Sequence, residues 1–283
     1  MNTITGRGGL PMVQIQTPWS TAEIYLQGAC VTHFQLHGES PLLFLSEQSR
    51  FEKGAAIRGG IPIIFPWFGK PPGRATQHGF ARLRAWELVE LNRAGDGSVT
   101  VHLTLPTTAE LLSIPLDYYV TVGKTLTVEL VTRNYSNDVF AFDNCLHTYF
   151  AVGDISRINV TGLRGEEYLD AAEKFQRKQE QAEAIRFDRE VDRLYVNTTR
   201  PVEIHDPVWQ RLIRIEKAGS ASTVVWNPWI AKAQAMADFG DEEYQRMVCV
   251  ESGNAAQNGI QLAVGQEARL KATYSQMKLT PQG

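Results

Sequence analysis

From Val13 to Phe44 apolar and polar residues alternate in short runs, VQIQT, AEIYLQG, CVTHFQLHG and PLLFL, separated by Gly, Pro and Ser. A period of two broken by turn residues predicts consecutive antiparallel strands. Trp86 to Leu105 and Ile114 to Tyr135 repeat the pattern around turns at Asn92 to Gly97 and Val122 to Lys124, which predicts two hairpins. Ile158 to Gly162, Val191 to Tyr195, Arg211 to Glu216, Thr223 to Trp226 and Ile260 to Tyr274 supply further strands. Two stretches depart from the pattern. Ser46 to Phe80 is rich in Gly and Pro and predicts a long folded loop, kept ordered by Phe65, Trp67 and Phe68. Glu166 to Phe187 is polar and rich in Ala, Glu, Gln and Lys, so propensity favours a helix. Its apolar residues Tyr168, Leu169, Phe175 and Ile185 form no continuous stripe, and an extended excursion fits equally well. Asp241 to Glu243 predicts one helical turn. Strands dominate, helices are few and no linker interrupts them. The expectation is an all-β chain, one large antiparallel sandwich spanning residues 1–283 as a single domain.

Two strands carry candidate chemistry. In DNCLHTYFAVGD, Asp143 to Asp154, alternation sends Cys145, His147 and Tyr149 to one face and Leu146, Thr148 and Phe150 to the other. In MVCVESGN, Met247 to Asn254, Glu251 closes an apolar strand. A histidine in a strand is more often a hydrogen-bonded wall residue than a catalyst. A carboxyl so placed, however, must be exposed, paired or held at a raised pKa, and the last two conditions suit a general base. We expect His147 and Glu251 to face one cavity. Arg58 enters the glycine-rich loop and Gln77, His78, Arg82 and Arg84 leave it, a concentration suited to a dianionic substrate. Alternation separates Gln77 from Arg82 unless the backbone turns, and Gly79 is the expected place. Asp192, beside Arg193, is either half of a surface ion pair or an acceptor for a hydroxyl. Trp226 and Trp229 in WNPW can stack on a sugar ring or belong to the core. His33 and His37 lie on one face of a strand with no third ligand at matching spacing, so no metal site is expected there.

Composition narrows the classes. The chain of 283 residues has 43% hydrophobic content, 28 basic and 31 acidic residues and a net charge of −3. That length and content support a large core, while the near balance of charge lacks the electrostatic footprint of a nucleic-acid binder. Three cysteines without a C-x-x-C pair argue against a disulfide framework or zinc ribbon and fit a reducing, cytoplasmic setting. Met1 to Met12 carries no export-signal pattern. The longest apolar run, Ile61 to Phe68, is interrupted by prolines and far too short for a bilayer, so no membrane association is expected.

The ordered set AIRGGIPIIFPWFG, QHGFAR, LHTYFAVGD, VDRLY, WNPW and MADFGDEEYQRMVCVESGN, from about Ile57 to Asn254, resembles the hexose-6-phosphate mutarotases. These glucose-6-phosphate 1-epimerases are the phosphosugar branch of the aldose 1-epimerase superfamily. The resemblance implies a galactose-mutarotase-like β-supersandwich that equilibrates the α and β anomers of aldohexose 6-phosphates. It implies His147 and Glu251 as catalytic residues and Arg58, Gln77, Arg82 and Asp192 as substrate contacts, with no metal or cofactor and a monomer acting on a free sugar phosphate. The GGIPIIFPWFG loop favours the phosphosugar branch over the galactose type. Ring opening needs one base and one acid: Glu251 is assigned to the O1 proton and a protonated His147 to the ring oxygen. A glycoside hydrolase would want two carboxylates across the bond. A non-catalytic sugar-binding sandwich and a mutarotase of unphosphorylated aldoses are the other readings.

Overall fold

The alternation along the chain resolves into two large antiparallel sheets packed against each other. In the computed structural model, which describes residues 3–108 and 111–279, a nine-stranded sheet runs from Ala184–Ile185 through Asn159–Thr161, Val202–Asp206, Arg211–Ala218, Glu267–Lys278, Leu126–Arg133, Leu116–Val122 and Val99–Thr104 to Glu87–Arg93. An eight-stranded sheet runs from Gln176–Gln179 through Glu167–Asp170, Val191–Val196, Ser222–Asn227, Met247–Asn254 and Asn144–Leu146 to Ile63–Ile64. Its eighth strand, Tyr149–Ala151, also pairs with Met247–Asn254. A four-stranded sheet forms from residues 4–36 and a two-stranded ribbon joins Phe140–Phe142 to Ile260–Leu262. Among the described residues the single α-helix is Trp229–Ala235, and no helix is long and apolar enough to cross a membrane.

Both predicted hairpins are present, pairing Glu87–Arg93 with Val99–Thr104 and Leu116–Val122 with Leu126–Arg133. The turn expected at Asp241 to Glu243 forms slightly later, as a 3-10 turn over Glu243–Arg246. Glu166 to Phe187 is not a helix. Glu167–Asp170 and Gln176–Gln179 pair as a hairpin that extends the eight-stranded sheet past Val191–Val196. The neighbouring strand overrides propensity: it satisfies the backbone of Glu167–Asp170, and Tyr168 buries its ring against Tyr195 at 5.0 Å.

The core fills the space between the two large sheets. From the eight-stranded sheet it takes the face bearing Phe150, Val225, Val248 and Val250, all buried. Phe150 meets the Tyr274 ring of the opposite sheet edge-on at 5.4 Å, and Thr148 shares a 2.7 Å hydrogen bond with the Tyr274 hydroxyl. The other face of that sheet is roofed by the Ser46–Phe80 loop, the turn joining the two strands of the 167–179 hairpin, and the short helix. It carries the candidate site.

Candidate active site

Register decides which side chains meet on the roofed face. Met247–Asn254 pairs on one side with Ser222–Asn227, placing Trp226 opposite Cys249 and Val224 opposite Glu251. Asp192 is opposite Trp226 one strand further out. On the other side Met247–Asn254 meets two short strands, Asn144–Leu146 and Tyr149–Ala151, in place of the continuous strand read from the sequence. His147 lies in the break, its backbone N–H donating 3.0 Å to the Pro62 carbonyl of the loop. Glu251 is mid-strand, not at a strand end, and 1% exposed.

This register brings His147 Nδ1 within 3.2 Å of Glu251 Oε1. The approach is close but off-line, since the buried Nδ1 makes no aligned hydrogen bond. The other carboxyl oxygen, Oε2, accepts from the Cys145 thiol at 3.3 Å. Tyr149 stacks on the imidazole at 4.9 Å and Trp226 meets it edge-on at 6.0 Å. Cys145, His147 and Tyr149 thus share the cavity face, as alternation predicts, despite the break.

Electrostatics differs from the sequence-based expectation of an imidazolium facing a carboxylate. Burial pushes the Glu251 carboxyl well above its ordinary value, and nearby Asp192 adds to the shift. Burial likewise holds His147 well below its ordinary value, helped by the positive fields of Arg82 and Arg58. Both shifts favour the uncharged forms, a protonated carboxyl and a neutral imidazole.

The loop supplies the polar side of the cavity. Arg58 is committed: Nε donates to Asp238 Oδ2 at 3.2 Å, Nη2 to both Asp238 oxygens, and Nη1 to the Tyr149 hydroxyl at 3.0 Å. Arg82 is less so. Its Nη2 donates 2.9 Å to the Gln77 carbonyl, and its sealed Nε has no partner among the described residues. Burial pulls Arg82 down to about 10, which leaves it cationic at neutral pH.

Gln77 and Arg82 both line the cavity, because the chain between them is not a strand. His78 and Gly79 take φ of 61° and 67°, and Arg82 follows in a 3-10 turn over Ala81–Leu83. A Cβ on Gly79 would lie 1.9 Å from the Phe65 carbonyl oxygen, so only glycine fits. Gly79→Ala is expected to cost about 1–3 kcal/mol or more of stability. Thermal unfolding reads that loss, with weakened substrate binding as the arginine-bearing turn shifts.

The structure adds residues that were not assigned roles. His78 accepts 3.1 Å from the Gly69 N–H at Nδ1, and its Nε2 lies 3.1 Å from the Gln77 side-chain amide nitrogen. Burial, then Arg82 and Arg58, pushes His78 down to about 3, so it is neutral beside His147. Asp192 pairs with Lys232 at 3.1 Å, whereas Arg193 pairs with Glu180 at 2.7 Å. Lys232 belongs to the helix after WNPW, a segment read only for its tryptophans. Of these, Trp226 is a cavity wall and Trp229 packs on Tyr244 at 5.2 Å outside it. Arg84 is exposed over Phe80 and takes no part. His33 and His37 have separate partners, the Thr21 hydroxyl and the Thr17 carbonyl.

The cavity enclosed by these groups measures about 330 Å³, and Phe175 and Ala171 of the hairpin stand among its lining residues. Its volume lies at the small end of ligand sites. A wider cleft of about 740 Å³ lies on the other flank of the loop, between Trp67, Phe140 and Gln257, but neither His147 nor Glu251 lines it.

The family model described as aldose 1-epimerase matches residues 11–275. The chain belongs to the aldose 1-epimerase family. As a member it is an isomerase. It is 38% identical over 268 residues to "Putative glucose-6-phosphate 1-epimerase" of Cenchrus ciliaris, covering 90% of this chain and 80% of that one. It is 32% identical over 254 residues to the protein of the same name in Escherichia coli (strain K12), covering 88% and 84%. Among solved structures, "a putative mutarotase (YeaD)" from Salmonella typhimurium superposes with TM-score 0.88 at 31% identity, covering 95% of this chain and 91% of that one. A galactose mutarotase-like protein from Clostridium acetobutylicum, 13% identical, shares the fold with TM-score 0.75 and 98% coverage of each chain.

Proposed function

We propose that this aldose 1-epimerase family member interconverts the α and β anomers of aldohexose 6-phosphates such as glucose 6-phosphate, with His147 and Glu251 as the proton carriers. The observation that carries the reading is a buried acid–base pair 3.2 Å apart in one cavity with an arginine whose donors are not consumed by carboxylates. The pair holds one proton, the number ring opening needs. One member takes the O1 proton while the other gives its own to the ring oxygen, C1 turns, and the steps reverse on closure.

The phosphate dianion supplies what the empty site lacks. Placed near Arg82 and Arg58, it offsets the positive field that helps burial keep His147 neutral, so the shared proton moves from Glu251 to His147 as the substrate docks. Glu251 is then the base on O1 and His147 the acid to the ring oxygen. Gln77 and Asp192 bind ring hydroxyls, and Trp226 forms a wall. Free sugar phosphate is the expected partner. Three buried free cysteines support a reducing, cytoplasmic setting, and a monomer is sufficient because every group named comes from one chain.

The deciding experiment compares anomerisation of freshly dissolved α-glucose 6-phosphate with that of α-galactose. Acceleration of the phosphosugar alone is expected; equal acceleration of both would make the protein a general aldose mutarotase, and none would leave a sugar-binding sandwich. The electrostatics gives a second prediction. Because the His147 pKa is lowered, its ring should still be neutral in the free protein at pH 6.5, where an ordinary histidine is half protonated. Imidazole NMR should then show protonation when sugar phosphate is added at that pH. An imidazolium already present in the free protein would overturn the proton-transfer step.

A further inference from the structure

The strand that carries Glu251 also buries Cys249 two residues earlier, on the same face of the sheet. His147, in the gap between the two short strands beside it, completes a triangle. One ligand atom each of His147, Cys249 and Glu251 lies within 4.8 Å of the other two, and all three residues are buried. We infer that this trio is a divalent-metal site of the imidazole–thiolate–carboxylate type, and that Zn2+ occupying it shuts down turnover by taking both proton carriers at once.

The donor set fits zinc, which takes nitrogen, sulfur and carboxylate oxygen ligands. A hard cation such as Mg2+ would instead want an all-oxygen shell. Ligand atoms around a tetrahedral zinc lie about 3.3–3.8 Å apart given its bond lengths, so modest rotamer changes close the site. A second observation points the same way. His147 is 8% exposed, and its buried Nδ1, which faces Glu251, has no aligned hydrogen-bond partner among the described residues. On binding, the Cys249 thiol and the Glu251 carboxyl each give up a proton to solvent and three metal–ligand bonds form. The fourth position remains for water. Arg58 opposes the cation, its field reduced by the pair with Asp238. Arg82 opposes it and Asp192 favours it, both from the cavity wall.

Inhibition rests on the reading of His147 and Glu251 as the reacting pair; binding of the metal does not, so the test reads them separately. Binding is followed with Co2+ in place of Zn2+, through the near-ultraviolet thiolate-to-cobalt absorption that appears only when sulfur coordinates. Wild type should develop this absorption, and Cys249→Ala and Glu251→Gln should lose or sharply weaken it. In the anomerisation assay Zn2+ should inhibit wild type. Cys249→Ala should keep near-normal turnover while needing at least about tenfold more Zn2+ for the same inhibition, the scale on which even outer partners of a metal alter affinity. Cys249→Ser, closest in size, serves if the alanine variant does not fold. Absence of cobalt–thiolate absorption in folded wild type, or equal Zn2+ inhibition of wild type and Cys249→Ala, would overturn the site. A cobalt–thiolate signal in a protein that does not accelerate anomerisation would keep the metal site and sink the catalytic reading instead.

Discussion

Glu251→Gln is expected to slow anomerisation of glucose 6-phosphate by about 10²–10⁴, with apparent substrate affinity changed little. Glutamine matches the carboxyl in shape and can still accept the Cys145 thiol at its carbonyl oxygen, yet it cannot exchange a proton at neutral pH. The loss corresponds to about 2.7–5.5 kcal/mol of transition-state stabilisation. Stability should hold or rise, because a neutral amide is cheaper to bury than a carboxyl that must be kept protonated. His147→Asn should slow the reaction to a similar degree. Since both residues handle one proton between them, the double variant should be about as slow as the slower single one. Multiplicative losses in the double variant would show that the two act independently, and near-normal turnover of Glu251→Gln would remove it from the reaction.

Arg82→Ala should weaken kcat/KM for the phosphorylated sugar by about 10–150-fold, the range for a hydrogen bond to a charged group, and by only a few-fold for an unphosphorylated aldose. The contrast between the two arginines motivates the choice. Asp238 and Tyr149 occupy the Arg58 guanidinium, whereas Arg82 is tied only to one backbone carbonyl. Arg82→Lys should recover part of the loss, as a point charge without the planar fork. Equal losses for both sugars would show that Arg82 supports the loop and does not read phosphate.

Most of the architecture was legible because half-buried strands write their period into the sequence. The first three Val13–Phe44 runs and the two hairpins formed where alternation placed them, whereas PLLFL makes only single bridges at Leu43 and Leu45. In Glu166–Phe187 local signals fit helix and extended chain alike, because an added hairpin borrows its stability from Val191–Val196, a partner that local propensity does not sense. At the site, the residue types were legible and the geometry only partly so. That His147 approaches Glu251 depends on the register of two short strands against a third far along the chain. Burial then shifts both groups toward their uncharged forms, which no local pattern encodes. His78 was visible next to Gly79, and its part follows from the positive-φ turn that points it inward. Lys232 and Asp238 carried no signal, because their importance lies in the partners they hold, Asp192 and Arg58.

Glu251 stands in the middle of a strand hydrogen-bonded to neighbours on both sides, and His147 is clamped between two more. Side chains on such a frame cannot follow a reacting sugar. Yet inversion at the anomeric carbon requires the opened aldehyde to swivel half a turn before the ring closes. The moving part must therefore be the substrate, pinned at its phosphate end and loose at its carbonyl end. A tighter grip on C1 would hold one anomer more firmly and slow the exchange, so in this protein good catalysis and strong binding of the reacting end oppose each other.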